Sequence, residues 1–219
     1  MNQLSKREIN NILIQGESST IEFKRKIASE EKIAKEITAL SNTLGGLIFI
    51  GVDDNGSVYG IKSEKSDISI IEYANNTLID PPVLIEIEVL EYDNKDIIVI
   101  QVPNSNYKPH RLIFTDEFGK LSKKVFIRVG EKSVLASSEM ARLLKYQNSN
   151  EEKLVMSIGE KEKNLFNYLE KYGRITVIEY CKLCNISKRR AERLLIRLVR
   201  ASVIQINTDT HHDYFTFIK

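Results

Sequence analysis

The chain has 219 residues, which is enough for one large domain or two small ones with hydrophobic cores of their own. Its 42% apolar and 28% charged residues are typical of a globular protein, and it has no run of about 18 apolar residues that would predict a membrane span. The N-terminus lacks the apolar segment of a secretory signal, and only two cysteines occur, so we expect a reducing, cytoplasmic setting and no membrane partner.

The first two thirds of the chain predict a mixture of helices and strands. In chain order, the hydrophobic patterns predict a helix over 3–14, a strand over 20–27, a helix over 29–44, a buried strand over 47–52 and a turn at 53–56. They then predict a helix over 67–79, a hairpin of strands 83–92 and 96–103, strands at 106–114 and 123–130, and a helix over 137–147. Gly45 and Gly46 are expected to end the second helix and to let the next strand approach closely.

The last sixty residues have a pattern of their own, which follows a polar stretch at 148–159. Three helices are predicted, over 160–172, 176–184 and 187–203, and two strands follow them. In the third helix, Ser187 is the expected N-cap, and Ala191, Leu194, Leu195 and Leu198 are expected to face inward. Three helices and a β-hairpin make a winged helix, a variant of the helix-turn-helix.

The fold class predicted from these elements is α/β (α+β), with a first domain over residues 1–150 and a winged helix over 155–219. The two parts also differ in net charge. Residues 160–219 contain twelve Lys and Arg against seven Asp and Glu, a net charge of +5, which leaves −3 for the preceding residues. A basic module beside an acidic body indicates nucleic-acid binding, and a solvated basic helix is the alternative interpretation.

Four segments of the first domain carry a family resemblance: ESSTIEFK, EITALSNTLGGLIFIGVDDNGSVYGI, KPHRL and VFIRVGEKSVLASSEMARLL. Together they resemble the Schlafen AlbA-type domain, the α/β core that animal Schlafens share with many bacterial regulators and defence proteins. The resemblance spans roughly residues 10–147. This chain has one such lobe, whereas animal Schlafens carry two, and it lacks their zinc-binding Cys and His residues. The resemblance also suggests that His110 in KPHRL supports its loop.

The resemblance implies a catalytic site. In the Schlafens that cut tRNA and rRNA, two glutamates flank the first strand and an aspartate ends the GVDD strand, and these positions fall on Glu17, Glu22 and Asp54. The implied activity is a metal-dependent endoribonuclease in which these three acids hold Mg²⁺ or Mn²⁺ and the substrate is tRNA or another structured RNA. Hard oxygen ligands suit either metal, and Lys24 would neutralise charge on the reacting phosphate.

The basic residues that follow the first strand, Arg25 and Lys26, would hold the RNA backbone. The alternative is that the acids are a feature of the fold, because similar motifs occur in family members described as transcription regulators. In that case Glu22, on the polar face of its strand, pairs with a neighbouring lysine.

A second candidate interface lies on the last helix. Its basic residues are Lys188, Arg189, Arg190, Arg193, Arg197 and Arg200, of which positions 189, 193, 197 and 200 form one stripe. In a helix-turn-helix this helix enters the major groove, so the stripe favours duplex DNA as a partner. The alternative is a dimerising winged helix with a soluble basic face. We expect a homodimer, since winged helices commonly bind DNA as two-fold pairs. Cys181 and Cys184 are interpreted as core residues rather than zinc ligands.

Overall fold

The computed structural model describes residues 4–115, 119–147, 159–209 and 213–218. The chain divides into two compact units, Met1–Ala136 and Ser137–Lys219. The helix at 138–147 therefore belongs to the second unit, whereas its position before the polar stretch had placed it in the first domain. The reason is its packing, since this helix contacts the last helix of the second unit. None of the helices in the described ranges is both long and apolar enough to cross a membrane.

The first unit is the predicted mixture of helices and strands. Its elements are α1 (Lys6–Gln15), β1 (Ile21–Lys24), α2 (Glu30–Asn42), β2 (Gly46–Ile50), α3 (Glu64–Leu78), β3 (Ile79–Asp80), β4 (Glu86–Tyr92), β5 (Lys95–Val102), β6 (Arg111–Thr115), β7 (Leu121–Lys124), β8 (Phe126–Val129) and β9 (Lys132–Leu135). Ser5 and Ser29 cap the first two helices with side-chain hydrogen bonds, as serine at an N-cap does.

A four-stranded sheet in the order β1-β2-β5-β4 forms the centre of this unit. Strand β1 runs parallel to β2, and the other pairs are antiparallel. Since side chains alternate across a strand, Ile48 and Ile50 face one core, with α2 and α3, while Phe49 faces the other, with α1. Phe23 lies opposite Phe49 in the register, and their rings meet edge to face at 5.8 Å between centroids.

The turn between α2 and β2 brings β1 and β2 together. Gly45 has a φ of +74°, and its N–H donates to the carbonyl of Leu40, which ends the helix. A Cβ on Gly46 would lie 2.0 Å from the carbonyl oxygen of Thr20, so only glycine permits this close approach. Both roles predicted for the glycine pair are confirmed.

Smaller sheets complete the first unit. Strands β3, β6 and β7 form one, and β8 and β9 form a hairpin that packs on α2. The buried amide of Asn42 donates to the carbonyls of His110 and Phe126, each at 2.9 Å, and so ties the two segments to α2. The ring of His110 is buried and bonded to the Pro81 carbonyl and the Ser105 hydroxyl, at 2.6 and 2.7 Å. His110 therefore supports its loop, as expected.

The second unit contains α4 (Ser138–Gln147), α5 (Glu160–Tyr172), α6 (Val177–Cys184), α7 (Lys188–Arg200), β10 (Ile204–Thr208) and β11 (Asp213–Phe217). Gly173, in a left-handed conformation, ends α5, and a capping box of Thr176 and Glu179 begins α6. Ser187 takes the N-cap position of α7, although its hydroxyl accepts no hydrogen bond from the first turn.

The core of the second unit lies between the three helices α5–α7 and the hairpin. The residues buried there include Leu165, Tyr180, Ala191, Leu195, Leu198, Ile204 and Phe215. Cys181 and Cys184 pack against the same cluster, as expected of core cysteines. Strands β10 and β11 are antiparallel neighbours, and the turn expected between them, at 210–212, lies outside the described residues. The predicted order of three helices and two strands is confirmed.

Candidate functional sites

Glu22 is at the centre of the carboxylate region in the first unit. It lies in β1, opposite Ile48 of β2, and is only 4% exposed. Its Oε1 accepts from the ammonium of Lys24, and its Oε2 accepts from Nη1 of Arg128. The carboxylate thus has one cation on each oxygen. The predicted pairing of Glu22 with a neighbouring lysine is confirmed by Lys24. The expected polar, exposed setting was wrong, because Arg128 of β8 reaches Glu22 and links it to Glu36 of α2.

Arg128 connects this region to the rest of the unit. Its side chain comes from β8 and is fully buried. Besides Glu22, its guanidinium donates to the Ser18 carbonyl at 2.6 Å and to Glu36 of α2 at 3.3 Å. Ser133 of β9 also donates to Glu36. A buried charge needs such compensation, since an unpaired ion in the interior costs several kcal/mol. The network therefore holds together four elements: β1, α2, β8 and β9.

Lys24 lies at the rim of the network with its side chain 34% exposed. Its ammonium also donates to the Phe23 carbonyl at 2.9 Å. Burial by itself would lower the pKa of Lys24, but the hydrogen bond from Lys24 to Glu22 and the negative charges of Glu22, Glu36 and Glu17 outweigh it and raise that pKa. Lys24 is therefore a firmly charged cation that is already partnered by Glu22.

Glu17 precedes β1 and is half-buried. Its Oε1 accepts from the backbone N–H of Phe23 at 2.8 Å. Burial raises the pKa of Glu17, and the negative charges of Glu22 and Asp54 raise it further, while the Phe23 hydrogen bond and the charge of Lys24 act in the opposite direction. Glu17 is therefore held by the Phe23 N–H and feels the negative charges of Glu22 and Asp54.

Asp54 lies in the turn after β2 and is exposed. Its backbone N–H donates to the carboxylate of Asp53 at 3.2 Å. Asp53 in turn lies 3.8 Å from the guanidinium of Arg25, which stacks over the ring of Tyr59 at 3.7 Å. Arg25 and Lys26 are both exposed, so this edge offers cations to solvent beside the carboxylates.

The three carboxylates do not fit a divalent cation as they are arranged. A hard metal needs free carboxylate oxygens, but both oxygens of Glu22 are bonded to Lys24 and Arg128. Within the described ranges, no group of three or more His, Cys, Asp or Glu side chains is placed to hold a metal ion. A cation could use Glu22 only by displacing protein cations from a buried position. Of the three predicted ligands, Glu22 is therefore the one whose charge protein cations already compensate.

The basic residues of α7 divide into two groups. Lys188, Arg189, Arg190 and Arg193, in the N-terminal half, are exposed. In the C-terminal half, Arg197 pairs with Glu162 of α5 at 3.1 Å, and Arg200 stacks over the ring of Tyr146 at 4.4 Å. Of the four arginines in the predicted stripe, Arg189 and Arg193 are thus exposed, whereas Arg197 and Arg200 contact other residues of the second unit.

Arg128 and Glu36 were not singled out in the sequence. Each nevertheless leaves a signal there. Arg128 is a charged residue within the apolar strand VFIRV, and Glu36 lies beside the buried positions Ile33, Ile37 and Leu40 of its helix. A charge in an otherwise apolar pattern predicts a buried ion pair, although it does not name the partner.

Comparison with known proteins identifies the family. The profile of the Schlafen, AlbA_2 family matches residues 17–137, which is more than half of the chain. The search of curated proteins found no match to this chain. Among the solved structures that match this chain in part are the following two.

The DIP2311 protein from Corynebacterium diphtheriae is 14% identical, with a TM-score of 0.46 over 91% of this chain and 34% of its own. This chain therefore spans about a third of that protein. The N-terminal domain of a RecG-related protein from Nitrosomonas europaea is 18% identical, with a TM-score of 0.37 over 69% of this chain and 92% of its own. Neither structure is similar enough to indicate an activity. On the profile match, the chain belongs to the Schlafen, AlbA_2 family.

Proposed function

We propose that this protein binds duplex DNA as a transcription regulator, with α6 and α7 as a helix-turn-helix and α7 in the major groove. The observation that carries the proposal is the exposed cluster at the start of α7, formed by Lys188, Arg189, Arg190 and Arg193. In a helix-turn-helix, the residues near the N-terminus of the second helix are the ones that contact base edges. Arginine there contacts phosphates, as lysine does, and can also read guanine through paired hydrogen bonds.

The local architecture supports this role for α7. Only Asn185, Ile186 and Ser187 separate α6 from α7, and Asn185 has a φ of 49°, as a tight turn between helices requires. The buried face of α7 is apolar apart from Glu192, and the exposed start of the helix is available to a ligand. The β10–β11 hairpin directly after α7 is where a winged helix has its wing.

The experiment is a salt titration of binding to a mixed-sequence duplex. Replacing Arg189 and Arg193 with Ala should weaken binding and reduce the slope of log K against log salt by about two, since each lost phosphate contact removes about 0.9. Lys171→Ala is the matched control, because Lys171 is also an exposed cation of the second unit but lies on α5. Unchanged affinity and slope in the double variant would show that the cluster is only a solvated surface.

The endoribonuclease interpretation is the competing hypothesis. It needs a metal site that Glu17, Glu22 and Asp54 do not fit as arranged, although Glu17 and Glu22 are both close enough to Lys24 to raise its pKa. Total tRNA incubated with Mn²⁺, with and without EDTA, distinguishes the two on a denaturing gel. We expect no EDTA-sensitive fragments. Fragments that disappear with EDTA and in Glu17→Gln would instead support the nuclease, and Glu17 is the informative position because it does not pair with Arg128.

In the proposed regulator, two chains bind one operator. Helix-turn-helix proteins commonly contact two half-sites about one helical turn apart, with protein and DNA sharing a two-fold axis. The AlbA-type unit would then supply the dimer contact or respond to a signal.

A further inference from the structure

A cleft in the second unit lies between α7, the first turn of α5 and α4. Its volume is about 640 Å³, which is in the range of small-molecule sites. On one wall, α7 contributes Arg190, Arg193 and Arg197, together with the apolar side chains of Leu194 and Ile196. The duplex-binding proposal uses the exposed start of α7 but gives no role to this concave surface.

The cleft has a strongly positive lining. Five arginines and one lysine line it, against two glutamates, which leaves a net charge of +4. Two of the arginines are compensated, since Arg142 pairs with Glu192 at 2.8 Å and Arg197 with Glu162 at 3.1 Å. Within the described ranges, Arg190 and Arg193 form no ion pair.

Arg197 supplies a further observation. Its Nη2 is bonded to Glu162, but its Nε is buried and has no hydrogen-bond partner in the described part of the chain. A buried donor without an acceptor is costly, and such groups are rare in folded proteins. Because this atom is closed to solvent, a ligand in the cleft does not reach it, and Nε of the buried Arg128 is unpartnered in the same way. The case for a ligand therefore rests on the exposed Arg190 and Arg193.

We propose that the cleft binds a phosphate-bearing small molecule of nucleotide size. Guanidinium groups bind phosphate oxygens through paired, charge-assisted hydrogen bonds, and Arg190 and Arg193 are available for such bonds. Leu194 and Ile196 offer an apolar surface to a base or another planar group. The first turn of α5 also lines the cleft, and the N-terminal end of a helix favours an anion.

The ligand would control DNA binding, a consequence that rests on the proposed function. Arg190 and Arg193 belong both to the cleft and to the exposed cluster that we assign to DNA. A ligand that occupies them removes two phosphate contacts from the duplex interface. Ligand and duplex therefore compete, and each lowers the apparent affinity of the other.

Calorimetric titration of the full chain tests the ligand directly, without DNA. The probes are ATP, pyrophosphate and adenosine, at about 0.15 M salt so that weak attraction is screened. We expect ATP and pyrophosphate to bind with one site per chain and adenosine not to bind. Arg190→Gln should weaken ATP binding about tenfold or more, as loss of a charge-assisted hydrogen bond implies. Arg190 is exposed and unpaired in the described ranges, so the variant should fold, which circular dichroism checks.

Arg189→Gln is the matched comparison. Arg189 is the adjacent exposed arginine of α7, but it does not line the cleft. It should leave ATP binding within about twofold while weakening duplex binding, since it is expected to contact DNA.

Equal losses of ATP binding in Arg189→Gln and Arg190→Gln would overturn the proposal, because they indicate a diffuse attraction to the helix. No saturable binding of ATP or pyrophosphate up to about 1 mM would also overturn it, since a built site of this size binds more tightly. If neither probe binds but Arg190→Gln still weakens duplex binding, the cleft is part of the DNA interface and only the ligand proposal fails.

Discussion

Glu22→Gln is expected to destabilise the first unit, whatever the protein does. The substitution keeps the size of the side chain but removes its negative charge, so Arg128 loses the partner on its Nη1 in a fully buried position. Removing one member of a buried ion pair costs more than the pair contributes, because the remaining charge is left without compensation.

The size of the effect follows from the remaining contacts. Breaking a buried pair typically costs about 3–5 kcal/mol in the free energy of unfolding. Here Arg128 retains Glu36 at 3.3 Å and the Ser18 carbonyl at 2.6 Å, and Lys24 can rehydrate because its side chain is 34% exposed. We therefore expect the lower end, about 3 kcal/mol. Asp54→Asn is the control, since Asp54 is exposed and should change stability by less than about 0.5 kcal/mol.

Urea unfolding followed by circular dichroism measures the loss, and hydrogen exchange of the β1 and β8 amides assigns it to the first unit. In a double-mutant cycle, Glu22→Gln with Arg128→Met should destabilise by less than the sum of the two single changes, since the second removes the charge that the first exposes. A loss below about 1 kcal/mol, or strictly additive changes, would refute the network as a structural element.

Two further predictions concern acid sensitivity and assembly. Burial lowers the pKa of His110, while its hydrogen bond to the Pro81 carbonyl acts in the opposite direction. As pH falls below about 6.5, the unfolded chain therefore binds more protons than the folded one, and the free energy of unfolding falls. In urea unfolding, the difference in the free energy of unfolding between wild type and His110→Gln should shrink from pH 7.5 to 5. A difference that stays constant over this range would contradict the argument. Light scattering at micromolar concentration should give a homodimer, near twice the 25.1 kDa of one chain, and a monomer mass would argue against paired binding to an operator.

Local patterns predicted most of the elements. Period-two alternation predicted β1, a continuous apolar run predicted β2, and the stripe of Ile33, Ile37 and Leu40 predicted α2. Glycine and capping residues marked the ends of helices, as at Gly173. These signals are reliable because helix and strand periodicity depend on neighbours along the chain. The same signals could not assign α4 to a unit, since that depends on what its apolar face contacts.

The sequence by itself determined the family, the α/β elements of the first unit, the order of helices and strands in the second, and the basic character of α7. Only the tertiary structure decided what the charged residues do. Arg128 meets Glu22 from 106 positions along the chain, and Arg197 meets Glu162 across two helices. Such pairs form between residues that no local pattern relates, and the cost of burying a charge selects them. For this reason an acid that resembled a metal ligand is the partner of a buried arginine, and a stripe of arginines is half-engaged within its own unit.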